Sequence, residues 1–269
     1  MTVDVLPDGT RQAGGSAFYS ALQAGRLGLR AHLLTRGVEH EIERLLEPYR
    51  GELELSIQPA LETTTLGTHG SGSERRQQLL AWAGAMEGET RIETAILHLA
   101  PVAQELPGRW RGQADFIGLT PQGLARQWPP GGGEVSPAPA PARRGEGCDA
   151  VVISEVERSS CEELVARALQ SGAVVAVTAG HRPTTILMPG GETLAAPATP
   201  SGEAGEDLGA GDVFAAAFFV ALHEGRGVKD AAAFAGAAAA LRLACPGTDG
   251  IAGRSTIEAH IGAHAGPRG

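Results

Sequence analysis

Short apolar runs alternate with helical patterns along most of this 269-residue chain, and this alternation constrains the fold more than any other feature. Strands that alternate with helices form a mostly parallel sheet with helices on both faces. The predicted buried strands are 31–35, 95–100, 116–119, 150–154 and 174–178. The predicted helices are 16–27, 38–49, 161–171, 213–224, 228–243 and 255–264. We therefore predict an α/β fold with a doubly wound sheet that binds ligands beyond the carboxyl ends of its strands.

One segment, 52–82, departs from this alternation. Residues 52–58 alternate strictly between polar and apolar side chains, and 63–66 and 76–82 flank a glycine and serine turn. Such patterning predicts antiparallel, half-exposed strands. These strands would form either a small sheet that projects from the main one or an ordinary surface hairpin. A stretch rich in proline and glycine, 129–147, is predicted to be a long surface loop within one domain.

Composition excludes several classes of function. The net charge of −9 argues against a nucleic-acid-binding surface. No apolar run is long enough to span a membrane and no leader pattern opens the chain, so we expect a cytoplasmic protein. Cysteines 148, 161 and 245 have no metal-ligand spacing and are predicted to be reduced. The only lysine is Lys229, which excludes a phosphate-binding loop of the Gly-x-x-x-x-Gly-Lys type.

The sequence Gly209-Ala210-Gly211-Asp212 precedes a wholly apolar run, 213–220. Glycines permit a tight turn with accessible backbone N–H groups, and the start of a helix attracts anions. An anion pocket that contains a carboxylate suits a reaction in which a base removes a hydroxyl proton while negative charge develops nearby. Phosphoryl transfer is such a reaction. The alternative is that Asp212 only caps a core helix.

Three further motifs occur in order along the chain. Gly14-Gly15-Ser16 opens the first helix, the strand 151–153 precedes Ser154 and Glu157, and the strand 174–178 ends in Thr178-Ala179-Gly180. With the glycine turn, these motifs resemble the ribokinase-like (PfkB) family of sugar and nucleoside kinases. The resemblance implies one kinase domain over 1–269, with 52–82 as a β lid. It implies ATP and Mg²⁺ as cofactors, with a monovalent cation (K⁺) as a further possibility.

The resemblance also implies a role for each matched position. The catalytic base would be Asp212, with the anion hole formed by Gly209, Ala210 and Gly211. The substrate would be held by Asp4, Gly14, Gly15 and Ser16. The nucleotide would be bordered by Ser154, Thr178, Gly180 and Gly247. Metal ions would be organised by Glu157 (Mg²⁺, through water) and Glu206 (a monovalent cation).

Several positions depart from the family pattern. Glu206-Asp207 replaces Asp-Thr before the glycine turn, and Ser154 and Ser16 each replace an asparagine. After the middle strand, Thr120-Pro121-Gln122-Gly123-Leu124 replaces Asp-x-Asn-x-Arg. The substrate therefore stays open among a sugar, an inositol-like polyol and a nucleoside. The alternative function is a non-catalytic metabolite-binding protein on the same fold. Neither nucleic acid nor a membrane is an expected partner.

The start of the resemblance raises a separate question. The family places a buried strand before its substrate aspartate, whereas Asp4 lies three residues from Met1. Either the strand is missing or the start lies inside a longer sequence. A missing strand would leave an unpaired edge or an apolar slot that a second subunit could fill. A weaker basis for a homodimer is the alternation of Leu53, Leu55 and Ile57 with polar residues.

Overall fold

The computed structural model describes residues 1–70, 75–107, 110–198 and 207–264. The strands in these ranges are β1 (Thr2–Val5), β2 (Arg11–Gly14), β3 (His32–Gly37), β4 (Glu54–Pro59), β5 (Thr65–His69), β6 (Arg76–Ala81), β7 (Thr90–Leu99), β8 (Trp110–Leu119), β9 (Arg126–Gln127), β10 (Gly133–Glu134), β11 (Ser136–Pro137), β12 (Ala150–Ser154), β13 (Val174–Ala179), β14 (Arg182–Leu187) and β15 (Thr193–Ala196). The α-helices are α1 (Ser16–Arg26), α2 (Glu39–Leu46), α3 (Glu162–Gln170), α4 (Ala210–His223), α5 (Val228–Ala244) and α6 (Arg254–His264).

A six-stranded sheet forms the centre of the molecule, in the order β15-β14-β13-β12-β8-β7. Strands β7, β8, β12 and β13 are parallel, as predicted, whereas β14 and β15 extend the sheet in the antiparallel direction. The doubly wound α/β prediction is confirmed. The hairpin of β14 and β15 was not predicted, because 182–196 carries no long apolar run.

Helix α4 is the main helix of the core. Every residue from Val213 to Ala221 is buried, because α4 packs against α1, α5 and the strands β7, β8 and β12. A helix that is apolar on all sides needs such a surrounding. A Cβ atom added to Gly118 of β8 would lie 2.3 Å from the Phe219 ring, so the helix lies directly on the strand backbone.

A second sheet, in the order β10-β6-β5-β1-β2, is mostly antiparallel. It contains two strands of the predicted lid, β5 and β6, together with the hairpin of β1 and β2. The prediction for 52–58 was wrong. Strand β4 pairs in parallel with β3, and α2 lies between them in the chain, as in a β-α-β unit. Strand β4 alternates between polar and apolar residues because it is half-buried. A half-buried parallel strand and an antiparallel strand show the same alternation, so the sequence pattern alone does not distinguish them.

The apolar residues of this segment also differ from the prediction. Leu53 is buried, and Leu55 and Ile57 pack partly buried against the main core. They do not form an exposed apolar stripe, so the basis for a dimer through this stripe is lost. Among the described helices, none combines the length and hydropathy needed to cross a membrane.

The contact between Gly118 and Phe219 generates a stability prediction. Gly118→Ala must displace the ring or the strand, so it should lower the free energy of unfolding by about 1–3 kcal/mol, as overpacking does in other cores. Gly262→Ala is the matched control, since Gly262 lies in α6 with open space around it and alanine favours a helix. Urea denaturation measures both variants, and equal stability of Gly118→Ala and the parent would contradict this packing.

Candidate active site

The glycine turn before α4 is fixed by packing as well as by backbone conformation. Gly209 has a left-handed φ of 80°. A Cβ atom there would lie 2.4 Å from the ring of Tyr19 on α1. Both constraints require glycine, so the turn holds the first N–H groups of α4 at one place. The Ala210 N–H donates to the carbonyl oxygen of Asp207 at 3.4 Å, whereas the N–H groups of Gly211 and Asp212 have no partner within the helix and can bind an anion.

A buried arginine from α5 supports the same turn. Arg242 is fully buried, and its guanidinium donates to the carbonyl oxygen of Leu208 at 2.6 Å and to that of Cys245 at 3.1 Å. It also lies 5.8 Å from the centre of the Tyr19 ring. Arg242 therefore ties the residue before Gly209 to the core. The sequence analysis missed this residue, since an arginine within an alanine-rich helix is usually assigned to the surface.

Asp212 lies in the first turn of α4 and is half-buried. Burial raises the pKa of its carboxyl to about 7, and the negative charges of Glu157 and Asp4 act in the same direction. The Ser16 hydroxyl and the positive charge of Arg126 lower it, without offsetting the burial. A carboxyl with a pKa near neutrality can accept a proton and release it again. The structure thus places Asp4, Ser16 and Glu157 within electrostatic reach of Asp212.

The Asp4 carboxylate is held by the hairpin of β1 and β2. Asp4 is buried, and its Oδ1 accepts a hydrogen bond from the Thr2 hydroxyl at 2.8 Å. A Cβ atom on Gly14 would lie 2.0 Å from the other carboxylate oxygen, so the carboxylate rests directly on the glycine backbone. Gly15 begins α1 with a left-handed φ of 85°. Ser16 is buried, and its hydroxyl lies beside Asp212 without a hydrogen bond of ordinary geometry.

The carboxyl ends of β12 and β13 carry the predicted nucleotide-binding residues. Ser154 and Thr178 are paired in register, and the Thr178 hydroxyl donates to the carbonyl oxygen of Ile153 at 3.3 Å. Glu157 lies in the 3₁₀ turn that follows β12, and its Oε2 accepts the Ser154 N–H at 2.9 Å. Gly180 and Gly247 both have a φ near 60° with open space beside the α-carbon. Packing therefore leaves both glycines accessible.

Arg126 of β9 is the main site residue that the sequence analysis did not assign. Its guanidinium donates to Gln77 Oε1 at 2.8 Å and to the carbonyl oxygen of Val102 at 3.2 Å. Burial lowers its pKa, whereas the carboxylates of Glu157, Asp212, Glu105 and Asp4 raise it. Within the described ranges, none of these carboxylates forms a direct ion pair with it. A signal was present, since Arg126 closely follows the Thr-Pro-Gln-Gly segment of the predicted pocket.

The second sheet reaches the glycine turn through an ion pair. Arg75, next to β6, pairs with Asp207 just before the turn. The possible cation residue Glu206 lies outside the described residues. Glu105 is a further acid near the site, and its Oε2 accepts the N–H groups of Val102 and Ala103, each at 2.7 Å. The other Glu105 oxygen is buried and has no hydrogen-bond partner among the described residues.

Comparisons with known proteins agree with this geometry. Residues 149–252 match the sequence model of the pfkB family of carbohydrate kinases. No curated protein sequence compared with the chain is similar to it. A pyrophosphate-dependent kinase of the ribokinase family, complexed with a pyrophosphate analogue and myo-inositol, has a TM-score of 0.72 at 18% identity and covers 96% of this chain and 97% of its own.

Two further solved structures have the same fold. Ribokinase from Arabidopsis thaliana, complexed with ribose and ATP, has a TM-score of 0.69 at 17% identity over 97% of this chain and 96% of its own. A nucleoside kinase from Burkholderia thailandensis, in complex with inosine, has a TM-score of 0.70 at 17% identity over 97% and 94%.

The fold, the ordered motifs and the family match define a phosphotransferase that acts on an alcohol group. Residues 149–252 carry the sequence pattern of the pfkB carbohydrate kinases, and the chain as a whole has the ribokinase fold. The alternative of a non-catalytic binding protein is therefore not favoured.

The electrostatics of Asp212 generate a prediction about pH. If Asp212 is the catalytic base it must be ionised, so kcat/KM should fall about tenfold per pH unit below a midpoint near 7. Glu157→Gln removes one like charge and keeps an oxygen that can accept the Ser154 N–H, so this midpoint should move to lower pH. The phosphate donor titrates in the same way with both proteins, so its titration does not affect the difference between their two pH midpoints.

Glu163→Gln is the matched control, since Glu163 is exposed on α3. Its pH profile should overlay that of the parent protein. An unchanged midpoint for Glu157→Gln would contradict the coupling between Glu157 and the base.

Proposed function

We propose that this protein is an ATP-dependent kinase that phosphorylates a hydroxyl group of a small polyol, sugar or nucleoside. One observation carries the proposal. The half-buried Asp212 carboxyl has a raised pKa, lies at the N-terminus of a buried helix, and is within electrostatic reach of the buried Asp4. This arrangement places a base beside both an anion-binding helix end and a carboxylate that can accept hydrogen bonds from hydroxyl groups.

In the proposed reaction, Asp212 accepts the proton of the acceptor hydroxyl as its oxygen attacks the terminal phosphorus of the donor. The bond from that phosphorus to the bridging oxygen breaks, and ADP leaves. Backbone N–H groups of the turn from Gly209 to Gly211 stabilise the negative charge on the transferring phosphoryl group. Arg126 adds positive charge to the same cleft, since it lies within electrostatic reach of Asp212.

The acceptor site would be formed by Asp4, Gly14, Gly15 and Ser16. A carboxylate such as that of Asp4 accepts hydrogen bonds from two neighbouring hydroxyls of a polyol. The second sheet contains the hairpin that carries Asp4 and Gly14, so closure of this sheet over the cleft would move both residues with the acceptor. An inositol-like cyclitol is our preferred acceptor, supported by the myo-inositol complex of the pyrophosphate-dependent relative.

The donor would lie along Ser154, Thr178, Gly180 and Gly247. Two of these positions end neighbouring parallel strands, where α/β sheets bind ligands. The two glycines present backbone without a side chain, which suits close approach of a nucleotide. ATP is the preferred donor, supported by the ATP complex of the plant ribokinase. The pyrophosphate-dependent relative makes pyrophosphate the donor to test against it.

Magnesium would be held mainly by the donor phosphates, and Glu157 would help to organise it through water. The described residues contain no group of three or more histidine, cysteine, aspartate or glutamate side chains that could hold a metal ion. A single carboxylate fits, because Mg²⁺ keeps several waters and takes its other ligands from phosphates. When bound, the ion would neutralise charge on the phosphates. A monovalent cation near Glu206 stays a prediction.

The experiment that tests this function is a matrix of donors and acceptors. ATP or pyrophosphate is offered with Mg²⁺ and with myo-inositol, ribose, fructose or inosine, and the phosphorylated acceptor is detected by mass spectrometry. We expect ATP to give a phosphorylated product with at least one of the four acceptors, and myo-inositol to be the most active acceptor. Product with pyrophosphate and none with ATP would show that pyrophosphate is the donor. If folded protein gives no product with any combination of donor and acceptor, the proposed substrate class is wrong.

Asp212→Asn is the sharpest variant for the mechanism. Asparagine keeps the size of the side chain and suits a helix start, but it cannot accept the proton. Turnover should fall by about 10²–10⁴-fold, the share of a positioned base. The Kd of the phosphate donor should change little, because backbone N–H groups bind it. Loss of the buried charge should also raise the melting temperature above pH 7 and less at pH 5, where Asp212 is largely protonated in the folded state.

Asp230→Asn is the matched control, since it makes the same exchange in the first turn of α5 at an exposed position. Its turnover should equal that of the parent. If Asp212→Asn keeps turnover within about threefold of the parent, far short of the loss of a base, Asp212 is a helix cap and the mechanism is wrong.

A further inference from the structure

Arg75 connects the second sheet to the glycine turn, and the reaction proposed for Asp212 does not use it. It lies immediately before β6, a strand of the second sheet. Its guanidinium pairs with the carboxylate of Asp207, which lies 132 residues further along the chain. Asp207 belongs to the turn itself, because its carbonyl oxygen accepts the Ala210 N–H at 3.4 Å. The ion pair therefore places a positive charge beside the glycine turn.

The turn brings Asp207 close to the N–H groups that can bind an anion. A hydrogen bond from residue i+3 to residue i closes a turn whose two ends lie within about 7 Å of each other. Asp207 is the first residue of this turn and Ala210 is the fourth, so Gly211 follows directly. A phosphate group bound at the Gly211 N–H would therefore lie near the Arg75 guanidinium.

The ion pair uses only part of the hydrogen-bonding capacity of Arg75. A guanidinium carries five N–H donors in a planar fork. The Nε atom of Arg75 is buried and has no hydrogen-bond partner among the residues that the structure describes. A buried N–H group without a partner costs free energy. A phosphate group would satisfy it, because arginine binds phosphate with two parallel N–H donors.

The charge of the cleft makes positive groups necessary for a polyphosphate ligand. Asp4 and Glu157 lie within electrostatic reach of Asp212, and the chain has a net charge of −9 with a single lysine, on α5. Like charges repel a phosphate donor unless cations offset them. Arg126 supplies one positive charge within reach of these acids. Arg75 supplies another, next to the turn.

We propose that Arg75 binds the phosphoryl group that is transferred, with Asp207 as its counter-ion when no donor is bound. The inference rests on the proposed kinase function and adds a residue to its donor site. A phosphate oxygen replaces the Asp207 carboxylate as the acceptor of the Arg75 N–H groups, and the guanidinium then stabilises the negative charge of the phosphoryl group. Because β6 and the Asp4 hairpin belong to one sheet, this sheet carries contacts to both donor and acceptor.

Calorimetric titration with ATP and with pyrophosphate, each with Mg²⁺ and without an acceptor, tests this role. Arg75→Gln should raise the Kd of each anion that the parent binds by about 10- to 100-fold, the usual contribution of a charge-assisted hydrogen bond. Asp207→Asn frees Arg75 and removes a negative charge, so it should lower the Kd roughly two- to fivefold, the contribution of a partly exposed ion pair. Arg76→Gln is the matched control, since Arg76 is the next residue and is 81% exposed. Its Kd values should equal those of the parent.

The opposite signs of the two effects separate phosphate binding from a structural role. If Arg75 only tethers the second sheet to the turn, Arg75→Gln and Asp207→Asn break the same ion pair and should weaken donor binding equally, which would overturn the proposal. A parent protein that binds the donor no better than Arg75→Gln does would overturn this inference alone and leave the kinase function in place. A parent protein that binds neither ATP nor pyrophosphate would overturn both.

Discussion

The contact between the glycine turn and the Tyr19 ring is the constraint on which the rest of the site depends. Gly209 lies so close to this ring that no side chain fits between them. The Arg242 guanidinium donates to the carbonyl oxygen of Leu208, the residue before Gly209, and the helix α4 that follows is buried on all sides. The position of the helix start is therefore set by the core rather than by the surface loop before it. The Asp212 carboxyl and the N–H groups of this helix start are therefore positioned before any ligand arrives.

Charge is the second organising factor. Asp4 and Glu157 both lie within electrostatic reach of Asp212, and the positive charge of Arg126 lies within reach of all three. Like charges and burial together hold the pKa of Asp212 near neutrality, which suits a base that must accept and release a proton. A ligand that carries phosphate groups would change this balance, because its charge enters the same cleft. The acidic cluster thus connects substrate binding to the protonation of Asp212.

Much of this organisation was predictable from the sequence, and the exceptions have physical reasons. The buried parallel strands and the helix after Asp212 were predicted, because wholly apolar runs have few alternatives. Strand β4 was misassigned, since a half-buried parallel strand and an antiparallel one share the same period of two. Arg242 and Arg126 were missed because their roles depend on distant partners, the Leu208 carbonyl and the Gln77 side chain, which spacing along the chain does not reveal.

The central claim is that burial and neighbouring carboxylates make Asp212 a base that titrates near neutral pH. Carbon-13 NMR of the aspartate carboxyl carbons tests it directly, with the Asp212 signal assigned by its loss in Asp212→Asn. The account predicts one aspartate signal that titrates with a pKa of about 7 in the ligand-free protein. An Asp212 signal that titrates at the ordinary aspartate value of about 4 would contradict the account.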